Sequence, residues 1–316
     1  MNTVENPPGD SPARDEADPV FILGILPRSG TNFLSDLLLL HPDLTPGRRP
    51  VNEDLFLAHS DHLTAFVDSV HAAWDPRWGT FDADLLDQLR ADIGRGLVSF
   101  LWSDRSRRLV TKSPSVQHLD RFFTFFPDAQ LLILVRDGRS VVQSAIATFG
   151  WDFDRACRAW AEAAQAIQRF QHAESARGGR WRLVRYEDIV DDPDGQLRAI
   201  FAFLGLESDR YDFAAARNLP VRGSSAYGRH DGRVHWEPVA KDHSFAPKER
   251  WRSWSSAQLE RFEWLAGQEL LQLGYGSSAT RFTPVRSVIH TLRDWKWWTL
   301  KKAAAAGVRV FGRRPR

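Results

Sequence analysis

Residues 20–32 read VFILGILPRSGTN, and this segment decides the fold class. The apolar run that starts at Val20 ends at Pro27, which is typical of a short strand buried in a parallel sheet. After the polar turn, Phe33–Leu40 carries apolar residues at helical spacing and stops before Pro42. A buried strand, a tight polar turn and a helix are the opening of an α/β unit.

The same alternation of patterns continues from Val20 to Tyr275, without an internal repeat. Strand patterns lie at Arg108–Thr111, Gln130–Val135 and Trp181–Tyr186, and helical patterns at 55–73, 85–101, 119–126, from about Arg139, 155–176, 194–205 and 258–273. Residues 218–247 are rich in Gly, Ser and His without periodicity, which indicates a functional loop. We predict one α/β domain with a parallel sheet over residues 19–280, after a disordered leader at 1–18 and before a tail at 281–316.

Composition excludes several classes of protein. The 316 residues are 43% hydrophobic, which is enough for a folded core. The single cysteine, Cys157, excludes an intramolecular disulfide framework and a cysteine-rich zinc module. The acidic, proline-rich start predicts no secretory signal, and no run reaches the roughly 18 apolar residues of a membrane span. We therefore expect a cytoplasmic protein.

Charge is distributed unevenly along the chain. Residues 281–316 contain ten Lys/Arg and one acid, Asp294, so the net charge of +2 leaves 32 basic and 39 acidic residues, or −7, for residues 1–280. An acidic body argues against a nucleic-acid partner. Within 283–312, apolar residues form a rough helical stripe with tryptophans and basic residues beside it: Val285, Val288, Ile289, Leu292, Trp295, Trp297 and Trp298. This predicts a basic amphipathic helix, either peripheral on a membrane or docked on the domain or a second subunit.

The turn between the first strand and helix has the chemistry of an anion site. A helix N-terminus presents free backbone N–H groups, Gly30 allows close approach, Thr31 adds a hydroxyl and Arg28 adds a planar cation. The nucleoside-triphosphate version of this loop needs a lysine that the sequence lacks. A capped turn with a surface arginine is the alternative.

A second phosphate element follows the strand at 130–135. Arg136 stands at the carboxyl end of that strand and Ser144 lies eight residues on, in the next helix, so both side chains can converge on one anion above the sheet. A surface ion pair of Arg136 with Asp137 is the alternative for this segment alone.

These motifs resemble the sulfotransferase family, which uses 3′-phosphoadenosine 5′-phosphosulfate (PAPS). Pro27-Arg-Ser-Gly-Thr31 matches its 5′-phosphosulfate loop, with Asn32 where the family has a second threonine. The resemblance implies a three-layer P-loop-like fold, with a central parallel sheet flanked by helices. It also implies cofactor-binding roles for Arg28, Ser29, Gly30, Thr31, Asn32, Arg136, Ser144, Tyr186, Ser225 (or Ser224) and Lys241, the last ones in a late loop that precedes Arg250-Trp251 and Trp254.

The resemblance also implies the chemistry. Lys112, at the end of the short second strand, is expected to reach the bridging oxygen, while Arg28 stabilises the leaving phosphate. Pro114 stands where one branch of the family has a catalytic histidine. The general base expected here is therefore Glu53, as in the tyrosylprotein and several bacterial branches, with Asp54 second and His118 third. No His/Cys/Asp cluster has metal-ligand spacing, so we expect no metal.

The function expected from all of this is transfer of a sulfuryl group from PAPS to a hydroxyl, less favourably an amine. The acceptor is a small molecule, a carbohydrate or a lipid-linked compound that the sequence does not specify, and the oligomeric state is equally open. Two alternatives remain: a catalytically degenerate nucleotide-binding or membrane-associated scaffold, and a P-loop small-molecule kinase.

Overall fold

Five short strands form the centre of the molecule in the computed structural model, which describes residues 18–48, 53–174, 180–220, 248–276 and 282–305. The strands are β1 Val20–Gly24, β2 Leu44–Pro46, β3 Arg108–Ser113, β4 Gln130–Val135 and β5 Trp181–Arg185. They make one parallel sheet in the order β2-β3-β1-β4-β5. β1 therefore lies in the middle, between β3 and β4.

Helices flank the sheet on both sides. They are α1 Thr31–Leu38, α2 Ser60–Ala73, α3 Ala83–Leu101, α4 Phe122–Phe125, α5 Gly138–Phe149, α6 Phe153–Glu174, α7 Tyr186–Asp191, α8 Pro193–Leu204, α9 Phe213–Arg217, α10 Ser256–Gln272 and α11 Pro284–Ala305. Successive residues of β1 point to opposite faces, so Phe21 and Leu23 join a core with α5, α6 and α10, whereas Val20 and Ile22 join a core with α1 and α8. The sheet is thus buried on both faces, as the unbroken apolar strands predict.

The register of the sheet brings four loops to one edge. Leu23 of β1 pairs with Ser113 of β3 and with Ile133 of β4, and Val135 pairs with Arg185 of β5. Because all strands are parallel, the turn after β1, the end of β3, the start of α5 and the start of α7 meet outside the carboxyl ends of the strands. This edge is where open α/β sheets bind ligands.

Several predicted element bounds change. β3 continues through Lys112 to Ser113, because its last residues still pair with Ile22 and Leu23 of β1. The predicted strand 181–186 ends one residue early, since Tyr186 already begins α7. The helix predicted at 119–126 is a 3-10 turn at Leu119–Arg121 followed by the single turn of α4. The edge strand β2 and the short helices α7 and α9 were not predicted.

The tail forms the helix α11, as the sequence predicts, and it packs on the domain. Asp294 accepts hydrogen bonds from Arg261 (2.5 Å) and from the indole of Trp264 (2.9 Å), and Arg293 donates to Asp154 (2.8 Å). These contacts join α11 to α6 and α10. Among the described residues, no helix has the length and apolar character needed to cross a membrane.

Candidate active site

The loop after β1 turns sharply through two left-handed residues. Arg28 has a φ of 79° and Gly30 a φ of 102°, and Gly30 is the N-cap residue of α1. A non-glycine residue in this region stores roughly 1–3 kcal/mol of backbone strain. Such strain in a short loop is common where a ligand or a substrate is held, and the glycine permits it at the second position.

Glycine is also required at residue 30 by the neighbouring aromatic ring. A Cβ atom built on Gly30 would lie 2.6 Å from Cδ2 of Tyr186, which is closer than real side chains approach. Tyr186 is buried at the first position of α7 and packs edge-on against Phe33 at 5.7 Å. The ring therefore closes one side of the loop directly against the backbone.

Arg28, Arg136 and Ser144 come together beside this ring. Nε of Arg28 donates to Oγ of Ser144 at 3.2 Å, and Nη1 of Arg136 donates to the carbonyl oxygen of Arg28 at 2.8 Å. The guanidinium of Arg136 lies over the ring of Tyr186, with its central carbon 4.3 Å from the ring centroid. Two arginines, a hydroxyl and an aromatic face thus converge from the β1 loop, the start of α5 and the start of α7.

A third arginine contributes positive charge to the same place. Burial, together with the neighbouring positive charges of Arg250 and Arg136, lowers the pKa of Arg28 to about 10. Like charges gathered this way favour an anion between them. The sequence places Arg250 beside Trp251 and Trp254 but indicates no binding role for it.

The segment that carries Arg250 is fixed to α5. The hydroxyl of Ser140 donates to the carbonyl of Lys248 at 2.8 Å, and the indole of Trp254 donates to Gln143 at 2.7 Å. The guanidinium of Arg139 stacks on Trp251, 4.1 Å from its ring centroid. The start of α5 therefore positions both Arg136 and the short turn with Arg250.

The loop also contains a buried hydroxyl that nothing in the described protein satisfies. Oγ of Ser29 is fully buried and has no hydrogen-bond partner, and Ser113 at the end of β3 has the same property. A buried polar group without a partner costs about 1–3 kcal/mol. The Ser29 hydroxyl lies against β1, beside the position that a Cβ atom on Gly24 would take, so it packs inside the loop.

Beside the loop lies a lysine–carboxylate pair. Nζ of Lys112 is 3.5 Å from Oε1 of Glu53; the Lys112 side chain is 7% exposed and that of Glu53 is 31% exposed. Since β3 and β1 are neighbours, Lys112 lies at the same sheet edge as the Arg28 loop. The pair joins a buried cation to a carboxylate that still reaches solvent, an arrangement suited to proton transfer from a ligand.

The carboxylate of Asp54, next to Glu53 in the sequence, accepts hydrogen bonds from within the protein. Its Oδ2 accepts from the hydroxyl of Thr111 at 2.8 Å and its Oδ1 from the backbone N–H of Phe56 at 3.1 Å. Burial raises the pKa of Asp54 to about 6, although these hydrogen bonds and Lys112 act in the opposite direction. Asp54 therefore anchors the loop to β3, which positions Glu53.

The remaining predicted residues are distributed differently. Thr31 is buried and Asn32 half-buried in the first turn of α1. His118 has its Nε2 atom 3.2 Å from Nε2 of Gln117 and 3.9 Å from a carboxylate oxygen of Asp61, in contacts that link it to α2. Three of the predicted cofactor-binding positions lie outside the described residues: Ser224, Ser225 and Lys241. Within the described ranges, no group of three His, Cys, Asp or Glu residues is arranged to hold a metal ion.

The sequence of residues 19–210, more than half of the chain, matches the model of the sulfotransferase family. The chain belongs to this family. The resemblance inferred from the phosphate loop is thereby confirmed, and the parallel sheet flanked by helices confirms the predicted fold class.

Named relatives of this sulfotransferase are distant. It is 27% identical to the nodulation protein NoeE of Sinorhizobium fredii, over 91% of this chain and 75% of that protein. It is 25% identical to protein-tyrosine sulfotransferase A of Caenorhabditis elegans, over 62% of this chain and 52% of that protein. The chain thus spans only about half the length of the tyrosine sulfotransferase.

Solved structures that are similar to this chain include a sulfotransferase domain from the Synechococcus olefin synthase. It has a TM-score of 0.49 and 24% identity, covering 85% of this chain and 99% of that one. Mouse sulfotransferase SULT7A1, solved as a complex with PAP, has a TM-score of 0.41 and 11% identity, covering 81% of this chain and 85% of that one.

Glu187 is a residue of this sulfotransferase that sequence reasoning missed. One carboxylate oxygen accepts from the backbone N–H of Asp137 at 3.0 Å, and the other accepts from the hydroxyl of Tyr275 at 2.8 Å. Burial raises the pKa of Glu187, against the effect of these bonds. The carboxylate thereby fixes the start of α5, next to Arg136, to α7 and to the chain after α10. Its position directly after Tyr186 was the available signal.

Proposed function

We propose that the protein transfers a sulfuryl group from PAPS to a hydroxyl group, with Glu53 as general base. The observation that carries this proposal is the meeting, at one sheet edge, of an arginine cluster suited to phosphates and a lysine–carboxylate pair suited to proton transfer. Family membership supports sulfuryl transfer, and the donor and acceptor assignments go beyond it.

The residues at the edge fit the donor nucleotide. Arg28 and the N–H groups at the start of α1 offer donors to a 5′-phosphosulfate. Arg136, Ser144 and Arg250 offer cationic and hydroxyl donors to a 3′-phosphate. The ring of Tyr186, which contacts Arg136 and Gly30, is expected to lie near the adenine nucleotide.

The donor, when bound, supplies an activated sulfuryl group: a sulfur–oxygen bond to the acceptor forms as the sulfur–phosphate oxygen bond breaks, which releases adenosine 3′,5′-bisphosphate. The chain's own residues supply positioning and charge. A carboxylate oxygen of Glu53 accepts the proton of the acceptor hydroxyl. Lys112 orients that carboxylate and adds positive charge where negative charge accumulates on the leaving phosphate.

The acceptor is proposed only as a class, a hydroxyl-bearing compound. Protein-tyrosine sulfotransferases, by their name, act on a hydroxyl of protein tyrosine, and this relationship supports a hydroxyl over an amine.

The first experiment tests the donor class by calorimetry. Adenosine 3′,5′-bisphosphate is titrated without Mg²⁺, and ATP with Mg²⁺ is titrated in parallel. Tight binding of the bisphosphate and none of ATP supports the proposal. Preference for ATP would indicate a kinase instead, and binding of neither nucleotide would favour the scaffold alternative.

The second experiment tests the base with a matched pair of variants. Glu53→Gln removes the proton acceptor but keeps the size of the side chain, whereas Asp54→Asn changes the adjacent anchored carboxylate. We expect Glu53→Gln to lose about 10²–10⁴-fold in the rate of sulfate transfer to a panel of phenols and sugars while it still binds the bisphosphate. Full activity in Glu53→Gln would eliminate Glu53 as the base, and loss only in Asp54→Asn would transfer the role to Asp54.

A further inference from the structure

The helix α11 packs on the domain with its polar face. Arg261 of α10, which is 1% exposed, joins Asp294 of α11 and Asp154 of α6 at 2.5 and 2.7 Å. His290 adds a contact to Glu260 at 3.0 Å, and Trp297 stacks with the guanidinium of Arg158 at 4.4 Å. These partners occupy one side of the helix over two turns. Surface helices of soluble domains ordinarily do the reverse and bury an apolar face.

The opposite side of α11 presents its apolar residues to solvent. We call this set the outer stripe, and its members, with their exposed fractions, are Val285 (69%), Val288 (57%), Ile289 (56%), Leu292 (60%) and Trp295 (69%), with Trp298 (47%) beside them. The members follow helical spacing and so form one continuous surface. A contiguous exposed apolar patch of this kind marks an interaction site rather than an ordinary surface.

We propose that the outer stripe binds the surface of a membrane that contains anionic lipids. Tryptophan and branched apolar side chains suit the boundary between lipid headgroups and acyl chains, and a helix lying flat there buries only its outer side. The length and apolarity of α11 do not suffice to cross a membrane, so the contact is peripheral. This proposal is independent of the sulfuryl-transfer proposal.

Charge selects a lipid surface over a second copy of the chain. Residues 281–316 carry ten Lys/Arg and one acid. Asp294, Arg286 and Arg293 are each paired with the domain, and the segment has eight further Lys/Arg residues. An anionic lipid surface neutralises the excess positive charge at low cost. Pairing two outer stripes would instead bring two such segments together, with like charges facing each other.

The buried ion pairs give the outer stripe a fixed direction. Because Arg261, Asp154 and Asp294 form bonds that are largely shielded from water, the helix is held with one side inward. Binding to a membrane therefore requires no rotation of α11 and no opening of the domain. The stripe is available on the folded protein.

The test measures binding of the full chain to vesicles by flotation. Vesicles of phosphatidylcholine alone are compared with vesicles in which about one third is phosphatidylglycerol, at low and high salt. The test variant is the triple change Ile289→Ser, Leu292→Ser and Trp295→Ser, which keeps the charge. The matched control replaces three equally exposed apolar residues elsewhere: Phe66→Ser, Phe100→Ser and Leu271→Ser, which are 57%, 54% and 57% exposed.

We expect binding to the anionic vesicles only, weaker at high salt, with a loss of at least about tenfold in the triple stripe variant and no loss in the control variant. All stripe positions are exposed, so circular dichroism and thermal melting are expected to match those of the unmodified protein. Absence of vesicle binding would overturn the proposal. So would equal loss in both triple variants, or a concentration-dependent dimer in sedimentation velocity that only the stripe variant abolishes, which would assign the stripe to a second copy.

Discussion

Replacing Arg136 with alanine tests the nucleotide site most sharply. Arg136 is 5% exposed, so water screens its charge little, and a charge-assisted hydrogen bond to a phosphate there is worth about 1.5–3 kcal/mol. At about 1.4 kcal/mol per factor of ten, the dissociation constant of adenosine 3′,5′-bisphosphate should rise roughly tenfold to 150-fold. Isothermal titration calorimetry measures this change directly.

The choice of ligand separates direct contact from support of the loop. Arg136 also donates to the carbonyl of Arg28 and stacks on Tyr186, so its loss could disturb the whole site. Adenosine 5′-monophosphate lacks the 3′-phosphate but keeps everything else that the loop binds. We expect its affinity to change little, whereas that of the bisphosphate falls.

Two controls complete the experiment. Arg136→Lys keeps the charge and should recover part of the lost affinity. Arg108 is a second buried arginine, at the opposite end of the sheet, where it donates to the carbonyl of Leu204 at 2.6 Å. Arg108→Ala should lower thermal stability without changing the affinity of the folded protein. Equal loss of both nucleotides in Arg136→Ala, or no loss of either, would refute the 3′-phosphate assignment.

The remaining predictions concern the loop and its anchor. Gly30→Ala should lower the free energy of unfolding by about 1–3 kcal/mol and abolish nucleotide binding, because the new Cβ atom meets Tyr186. Gly205→Ala is the control, since Gly205 also has a positive φ but no atom lies within 4 Å of its Cβ position. Calorimetry should find nucleotide binding unchanged in this control. Asp54→Asn should stabilise the protein more at pH 8 than at pH 4. The pKa of Asp54 is raised from 3.8 to about 6, so the folded protein favours the protonated form and loses stability as the pH rises through this interval. The advantage of the variant in free energy of unfolding should grow by as much as about 3 kcal/mol, and a constant difference in urea titrations at both pH values would contradict this.

Much of the fold follows from local sequence because its strands are short, apolar and buried on both faces. Burial of β1 and β4 leaves little choice of residue type, and the turns that follow them carry the polar residues. β2 was missed because an edge strand of three residues with a proline at its end has no pattern of its own. The sequence pattern extends the strand to Tyr186, because no glycine or proline marks the change from strand to helix at Arg185.

Residues of the candidate site can be predicted from the sequence where they belong to one short motif. Two local motifs predict Arg28, Gly30, Arg136 and Ser144, and the fold brings the side chains of Arg28, Arg136 and Ser144 together. Their binding roles stay predictions. Arg250 and Glu187 could not be assigned roles, because their importance comes from packing against α5, which is distant along the chain.

The sequence also does not predict that the outer stripe of α11 faces solvent. An amphipathic pattern states that two sides of a helix differ, but it does not say which side has a partner. Arg261, Asp154 and Glu260 provide that partner for the polar side, and they lie more than twenty residues away from α11 in the chain. Only the tertiary structure brings them together.

The arginine cluster also links ligand supply to the lifetime of the protein. The positive charges of Arg250 and Arg136 act on Arg28 as neighbouring like charges, and an anion bound among them would reduce this repulsion. A ligand that binds only the folded form adds about 2.7 kcal/mol of stability at a concentration one hundred times its dissociation constant. Under the proposed function, a cell short of sulfate donor and its bisphosphate product therefore holds a less stable enzyme, and proteases would remove it faster.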